Sequence, residues 1–157
     1  MRSLVRYIFI LLICFYSCKN DNDLSNLYSK NYTNKIERLK LINENVVCSS
    51  KVFDTEFQLF NVNGFSKQRD ILLPGTSSLD YKFVVKIDTS EINKWLISFI
   101  KTDSIKSDLN WTTKIIKDRK ENWITFSKPI FYKRKNENVI LVLYRQEGII
   151  YKRILQN

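Results

Sequence analysis

The run Val139-Ile140-Leu141-Val142-Leu143-Tyr144-Arg145-Gln146-Glu147-Gly148-Ile149-Ile150-Tyr151-Lys152-Arg153-Ile154-Leu155 decides the fold. Its first six residues are apolar whichever way a strand points them, as a central strand with both faces covered requires. Gln146-Glu147-Gly148 breaks the run with a turn. Beyond it Ile150 and Ile154 share one face, with Lys152 between them. Strands joined by so tight a turn are antiparallel neighbours.

Upstream, residues 123–132 read as a further strand carrying Pro129, which offers no ladder donor and suits an edge position or a bulge. Lys133-Arg134-Lys135-Asn136-Glu137-Asn138 links it to the hairpin and completes a meander. Residues 52–60 alternate Phe53, Thr55, Phe57 and Leu59 with Asp54, Glu56 and Gln58, the pattern of a strand with one wet face. Residues 82–88 repeat it, with Phe83, Val85 and Ile87 set against Lys82, Lys86 and Asp88. Between these two strands, Asn63-Gly64 and Pro74-Gly75-Thr76-Ser77-Ser78 bracket a long surface connection.

Asp88 and Glu91 have capping-box spacing, and Ile92, Trp95, Leu96, Phe99 and Ile100 fall at helical intervals, so an amphipathic helix is predicted over about 89–101. Asn34 and Glu37 have the same spacing ahead of Ile36, Leu39 and Ile42; a short helix fits there, and Lys40-Leu41-Ile42 equally suits entry into a strand. Residues 102–110 read as loop, 111–116 as a short element and 117–122 as a charged turn. The expected fold is α+β and two-layer, an antiparallel sheet of about five strands with one main helix on one face, spanning 36–157 as a single domain.

A chain of 157 residues is one domain's worth, and three glycines with two prolines leave little for flexible linkers. The net charge is +10, of which Arg2 and Arg6 belong to a leader, leaving +8 on the rest. A basic surface favours anionic partners, and it also serves solubility. Lys114, Lys117, Arg119 and Lys120 form one group, and Lys128 with Lys133, Arg134 and Lys135 a second. Arg145 with Lys152 and Arg153 makes a third, expected on adjacent strands near one turn. Lys133, Arg134, Lys135, Arg145, Lys152 and Arg153 are the candidate surface for an acidic protein or an anionic envelope component. Interleaved Tyr132, Tyr144 and Tyr151 give it a superficial likeness to a nucleic-acid surface, but the export address described below argues against nucleic acid.

The chain has no histidine, so neither a catalytic triad nor a Cys–His pair can be assembled. Glycine-rich phosphate loops and EF-hand loops are absent from the sequence, and no cofactor or metal site is expected. Asp54 and Glu56, two residues apart on one strand face, are a carboxylate pair of the kind used in acid–base work, although most such pairs are solvated strand surface. A distant pair drawn from Asp80, Asp88, Asp103 and Asp108 is the other route to glycan cleavage. A non-enzymatic role is the expectation. Asn31-Tyr32-Thr33 and Asn110-Trp111-Thr112 match the N-glycosylation pattern by chance.

The N-terminus reads Met-Arg-Ser-Leu-Val-Arg, then an apolar run from Tyr7 to Tyr16, then Ser17-Cys18-Lys19. The ten-residue run spans about 15 Å as a helix, half the roughly 30 Å of a hydrocarbon core, so it fits a signal peptide rather than an anchor. Phe15-Tyr16-Ser17-Cys18 resembles the lipobox of bacterial lipoproteins. Ser17 matches the small residue before the cleavage point, and Cys18 matches the acylated residue that becomes the mature N-terminus. Phe15 departs from the usual Leu, Val or Ile, and Tyr16 is bulkier than is common there. The resemblance implies a signal peptide over 1–17, lipidation at Cys18 and a tether over 18–35. It also implies a cell-envelope location on a membrane reached through the lipid, and Lys19 after the cysteine favours the outer membrane. Asp21 and Asp23 resemble an acidic surface-export tag and equally a solvated linker. Cys14 leaves with the leader. Cys48 is then a lone, small hydrophobe, or, if Cys18 is not acylated, its disulfide partner.

The style of the domain is similar to that of small bacterial lipoproteins ending in a meander. A non-enzymatic binding or accessory role in the envelope is expected, with an immunity or inhibitor protein as the alternative and a glycan- or peptide-acting enzyme behind both.

Overall fold

A computed structural model describes residues 25–65, 78–103, 105, 108–135 and 138–156. The expected signal peptide, Ser17, Cys18, the first part of the tether and the connection over 66–77 lie outside the described residues. Among those described, seven strands form one sheet: β1 (Asn26–Tyr28), β2 (Val52–Asn61), β3 (Leu79–Ile87), β4 (Phe99–Thr102), β5 (Ile130–Arg134), β6 (Val139–Tyr144) and β7 (Ile149–Gln156). Their spatial order is β1-β2-β3-β7-β6-β5-β4, antiparallel throughout. The chain lays down β1 to β3, crosses to the far edge, and returns strand by strand until β7 closes against β3.

The C-terminal hairpin is as expected. Gly148 turns it with φ +62°, and a Cβ there would stand 2.3 Å from the Ile87 carbonyl oxygen, so the close approach of β3 to the turn requires glycine. The Ile87 N–H donates to the Gly148 carbonyl at 2.9 Å, fastening the turn to β3.

The sheet is wider than the five strands predicted, and the additions have separate causes. One comes from the expected tether: Asn26–Tyr28 pairs with Phe60–Gln58, so the domain takes in residues ahead of position 36. The other replaces the second half of the predicted helix. Thr89–Glu91 is a 3-10 turn and Ile92–Trp95 (α2) a single helical turn; Ser98 then adopts φ +68°, and Phe99–Thr102 is a strand. The Asp88 carboxylate accepts from the Ser90 N–H at 2.8 Å, and Glu91 pairs with Lys94, so the predicted capping box does not form. Phe99 and Ile100 are weak helix formers that suit a strand. As a strand they cover the open edge of β5, with Phe99 beneath the Arg134 guanidinium at 5.0 Å. Pro129 immediately precedes β5, where no ladder donor is needed.

The longest helix among the described residues is α1 (Lys35–Asn45), begun where the Asn34 side chain accepts from the Ile36 N–H at 2.8 Å. Ile42 is buried beneath it while Ile36 is exposed. Two-layer packing does not describe the result. On one face α1 and α2 bury Ile42, Ile92 and Trp95 against Phe57, Phe83, Val85, Leu141, Leu143 and Ile150. On the other, α3 (Asn110–Ile115) and a 3-10 segment, Lys117–Trp123, bury Trp111, Ile116 and Trp123 against Val84, Val142, Ile149 and Tyr151. Adjacent pairs such as Val84 and Val85 are therefore buried in opposite directions, as the doubly apolar strands require.

Candidate functional site

The face covered by α3 carries a cleft of about 330 Å³, within the range of roughly 300–1,000 Å³ usual for small-ligand sites. Thr112 and Thr113 of α3 and Ile116, Lys120 and Trp123 of the following segment line it. Ile124 and Thr125 contribute from the loop before β5, and Tyr144 and Tyr151 from β6 and β7. The helix is set by Asp108, whose carboxylate accepts from the Asn110 N–H at 2.8 Å, and by Trp111, packed edge-on to Tyr151 at 6.3 Å. Tyr144 meets Tyr151 edge-on at 6.0 Å. The Thr112 hydroxyl donates to the Leu109 carbonyl and the Thr113 hydroxyl to the Asn110 carbonyl, both at 2.9 Å. Burial, and after it Tyr144, push the Tyr151 phenol well above its ordinary value, so it stays protonated.

One wall is held by Glu147 in the β6–β7 turn. Its carboxylate accepts from the N–H groups of Phe126 and Ser127 at 2.7 and 2.8 Å and from the Ser127 hydroxyl at 2.5 Å. Desolvation pulls this carboxyl upward, and the Ser127 hydroxyl with the two amides outweighs it, leaving the group at about 2. A depressed carboxyl stabilises the fold above its unfolded value near 4.5 and loses that contribution as pH falls toward about 2. The stability difference between the wild type and Glu147→Gln should thus be full above pH 5 and shrink steadily between pH 4.5 and 2. Unfolding curves across that window give the measurement, and a pH-independent difference would contradict the role. The same clamp presents Phe126, 88% exposed, next to exposed Ile124.

The carboxylate pair on β2 is not a wet surface. Glu56 is 2% exposed, held by a fork from Arg119 (Nε to Oε1 at 2.5 Å, Nη2 to Oε2 at 2.7 Å), by the Ser29 hydroxyl at 2.6 Å and by Arg38 Nε at 3.4 Å. Arg38, itself buried, also reaches Asp54 at 3.2 Å and donates to the carbonyls of Thr55, Tyr32 and Thr33. It occupies the edge of β2 that β1 leaves open after Tyr28, satisfying carbonyls a longer strand would have paired. Arg119 reaches inward because the 3-10 segment kinks at it, with φ −143° and ψ 42°. Both carboxylates are committed to arginines, a structural arrangement rather than an acid–base pair. A smaller hollow of about 140 Å³, lined by Ser29, Lys30, Gln58 and Lys114 among others, adjoins it.

The remaining candidate carboxylates divide similarly. Burial pulls the Asp80 carboxyl upward, but its bonds to Arg153 (2.8 and 2.9 Å) and Lys82 (2.7 Å) outweigh this and hold it below the usual range. Asp88 and Asp108 cap turns, and Asp103 follows β4. Among the described residues, no group of three or more His, Cys, Asp or Glu side chains is placed to hold a metal ion.

The six basic residues do not make one patch. Lys152 is 8% exposed on the α1 face, its ammonium 5.8 Å from the Trp95 ring and 5.7 Å from that of Phe99. Arg134 is half-buried on that same face over Phe99. Lys133 and Arg153 both stand opposite Ile140, on the face with the cleft, and Arg153 is forked to Asp80. Lys135 is exposed beyond β5, and Arg145 is exposed in the β6–β7 turn at the other end of the hairpin. Arg145 and Arg153 are therefore separated along the strands rather than gathered at one turn. Cys48 packs half-buried against the α1-side core, its thiol raised by burial against the lowering effect of Lys152. Of the cleft residues, Lys120 belongs to the first basic group and Tyr144 and Tyr151 to the interleaved tyrosines, but nothing in the sequence joins them to the short element at 111–116, since they converge from segments far apart in the chain. No helix among the described residues is long and apolar enough to cross a membrane. Compared with known proteins, the chain matches no protein-family model, no curated protein and no solved structure.

Proposed function

We propose that the chain is a lipid-anchored, non-enzymatic binding protein of the bacterial cell envelope, probing its surroundings through the cleft beside α3. The lipobox-like Ser17-Cys18 supplies the anchor and Lys19 the outer-membrane preference. The observation that carries the binding role is the composition of the cleft. It combines an aromatic floor, threonine hydroxyls and one lysine, and its lining includes no carboxylate, cysteine or histidine. That set can orient and hold a ligand, and it lacks the carboxylate pair that glycan cleavage uses. Exposed Lys133, Lys135 and Arg145 remain available to steer an acidic or anionic envelope partner toward the domain.

A photoreactive amino acid at Thr125, on the rim, should capture an envelope component in intact cells. The same residue at exposed Val47, near the opposite face, should give at least tenfold less adduct. Equal capture at both positions, or none at Thr125, would contradict the binding role. Phe126 favours a second reading, an inhibitor or immunity protein: a clamped, exposed aromatic on a short loop is suited to plugging the cleft of an enzyme. In that case adducts would form from Phe126 and be with a protein.

A further inference from the structure

We infer that the ligand of the cleft is an acidic pyranose, a sugar ring bearing a carboxylate; this rests on the binding role proposed above. The hydroxyl protons of Thr112 and Thr113 are spent on helix carbonyls, so these oxygens offer lone pairs and call for O–H donors on the ligand. Tyr144, the partly exposed aromatic of the cleft, supplies the ring whose electron-rich face suits the C–H face of a sugar, with buried Trp123 and Tyr151 packed behind it. Lys120 brings a cation to the edge, matched by a carboxylate. An acyl chain would leave the threonine oxygens and the ammonium unmatched, and a flat nucleobase brings few donors for two acceptors on one helix. The cleft opens toward solvent at Thr113, Lys120 and Ile124, all exposed, so the ring can be free or one unit of a polysaccharide running out of it.

The full chain in detergent micelles, observed by NMR at its backbone amide and tryptophan indole N–H groups, is titrated with galacturonic acid, an oligogalacturonate and a neutral oligoglucoside of the same length as the oligogalacturonate. The acidic sugars should shift Trp123 and the Thr113 and Thr125 amides while Trp95, on the opposite face, stays in place. The oligogalacturonate should bind about threefold more tightly than the neutral oligomer of equal length, and Lys120→Gln should erase that preference. Tyr144→Ala should weaken both about tenfold. Thr113→Val, at an exposed position that leaves the core intact, should weaken both as well. A tighter oligogalacturonate identifies a polysaccharide source, and equal affinity identifies the free sugar acid. No movement of Trp123 with any of the three, or binding untouched by Thr113→Val and Lys120→Gln, overturns the inference. If crosslinking at Thr125 succeeds while no sugar moves Trp123, the sugar class falls and the binding role stands. If both fail, both fall.

Discussion

Glu56→Ala should lower the stability of the fold by about 3–5 kcal/mol, seen as a fall in the urea midpoint at unchanged slope. The carboxylate is buried between two guanidiniums, and its removal leaves Arg38 and Arg119 facing each other in an environment with little water. In the wild type the bond to Glu56 raises the Arg119 guanidinium above its ordinary value, against the lowering by burial, which marks how closely the two groups are coupled. Ser29 and the kinked 117–123 segment lose their anchor at the same time, which loosens β1 and one wall of the smaller hollow. Arg119→Met should cost less in the Glu56→Ala background than alone, with a coupling of about 1–3 kcal/mol. A loss below about 1 kcal/mol for Glu56→Ala would place the network among surface ion pairs, which contribute little.

What could be read from the chain depended on whether the deciding contact was local. The β6–β7 hairpin was legible because an apolar run with no polar face and a glycine turn leave few alternatives, and β2 and β3 followed from alternation. Phe99 and Ile100 were misread because their spacing from Ile92 and Trp95 is helical. The open edge of β5, which turns them into a strand, is created some thirty residues downstream. The Asn26-Leu27-Tyr28 strand is too short to show a period. Glu56 looked solvated because the residue that covers it, Arg119, lies 63 positions away and reaches it only through a kink. The cleft is invisible for the same reason, assembled from α3, a loop and two later strands. A local signal does divide the basic residues: consecutive strand residues point to opposite faces, so Lys152 and Arg153 belong to different surfaces, and burial of Lys152 follows from its position between Ile150 and Ile154.

Cys18→Ser carries the other large expected effect, because a lipid anchor is present or absent rather than weakened. Diacylation of Cys18, as proposed, would contribute roughly 0.8 kcal/mol for each buried methylene, enough for a lasting hold on the bilayer, and no helix among the described residues could replace it. The residual +8 charge gives only a salt-sensitive attraction to anionic lipid. The substitution lies outside the domain, so the unfolding transition should match that of the wild type and separate anchoring from folding. It should also abolish Thr125 crosslinking to any component confined to the membrane, since the cleft would no longer be held beside it. Metabolic labelling with a fatty-acid analogue, followed by fractionation, tests this most directly. The wild type should carry the label and sediment with membranes, while Cys18→Ser is unlabelled and soluble; equal labelling and sedimentation of the two would contradict the anchored binding protein proposed above.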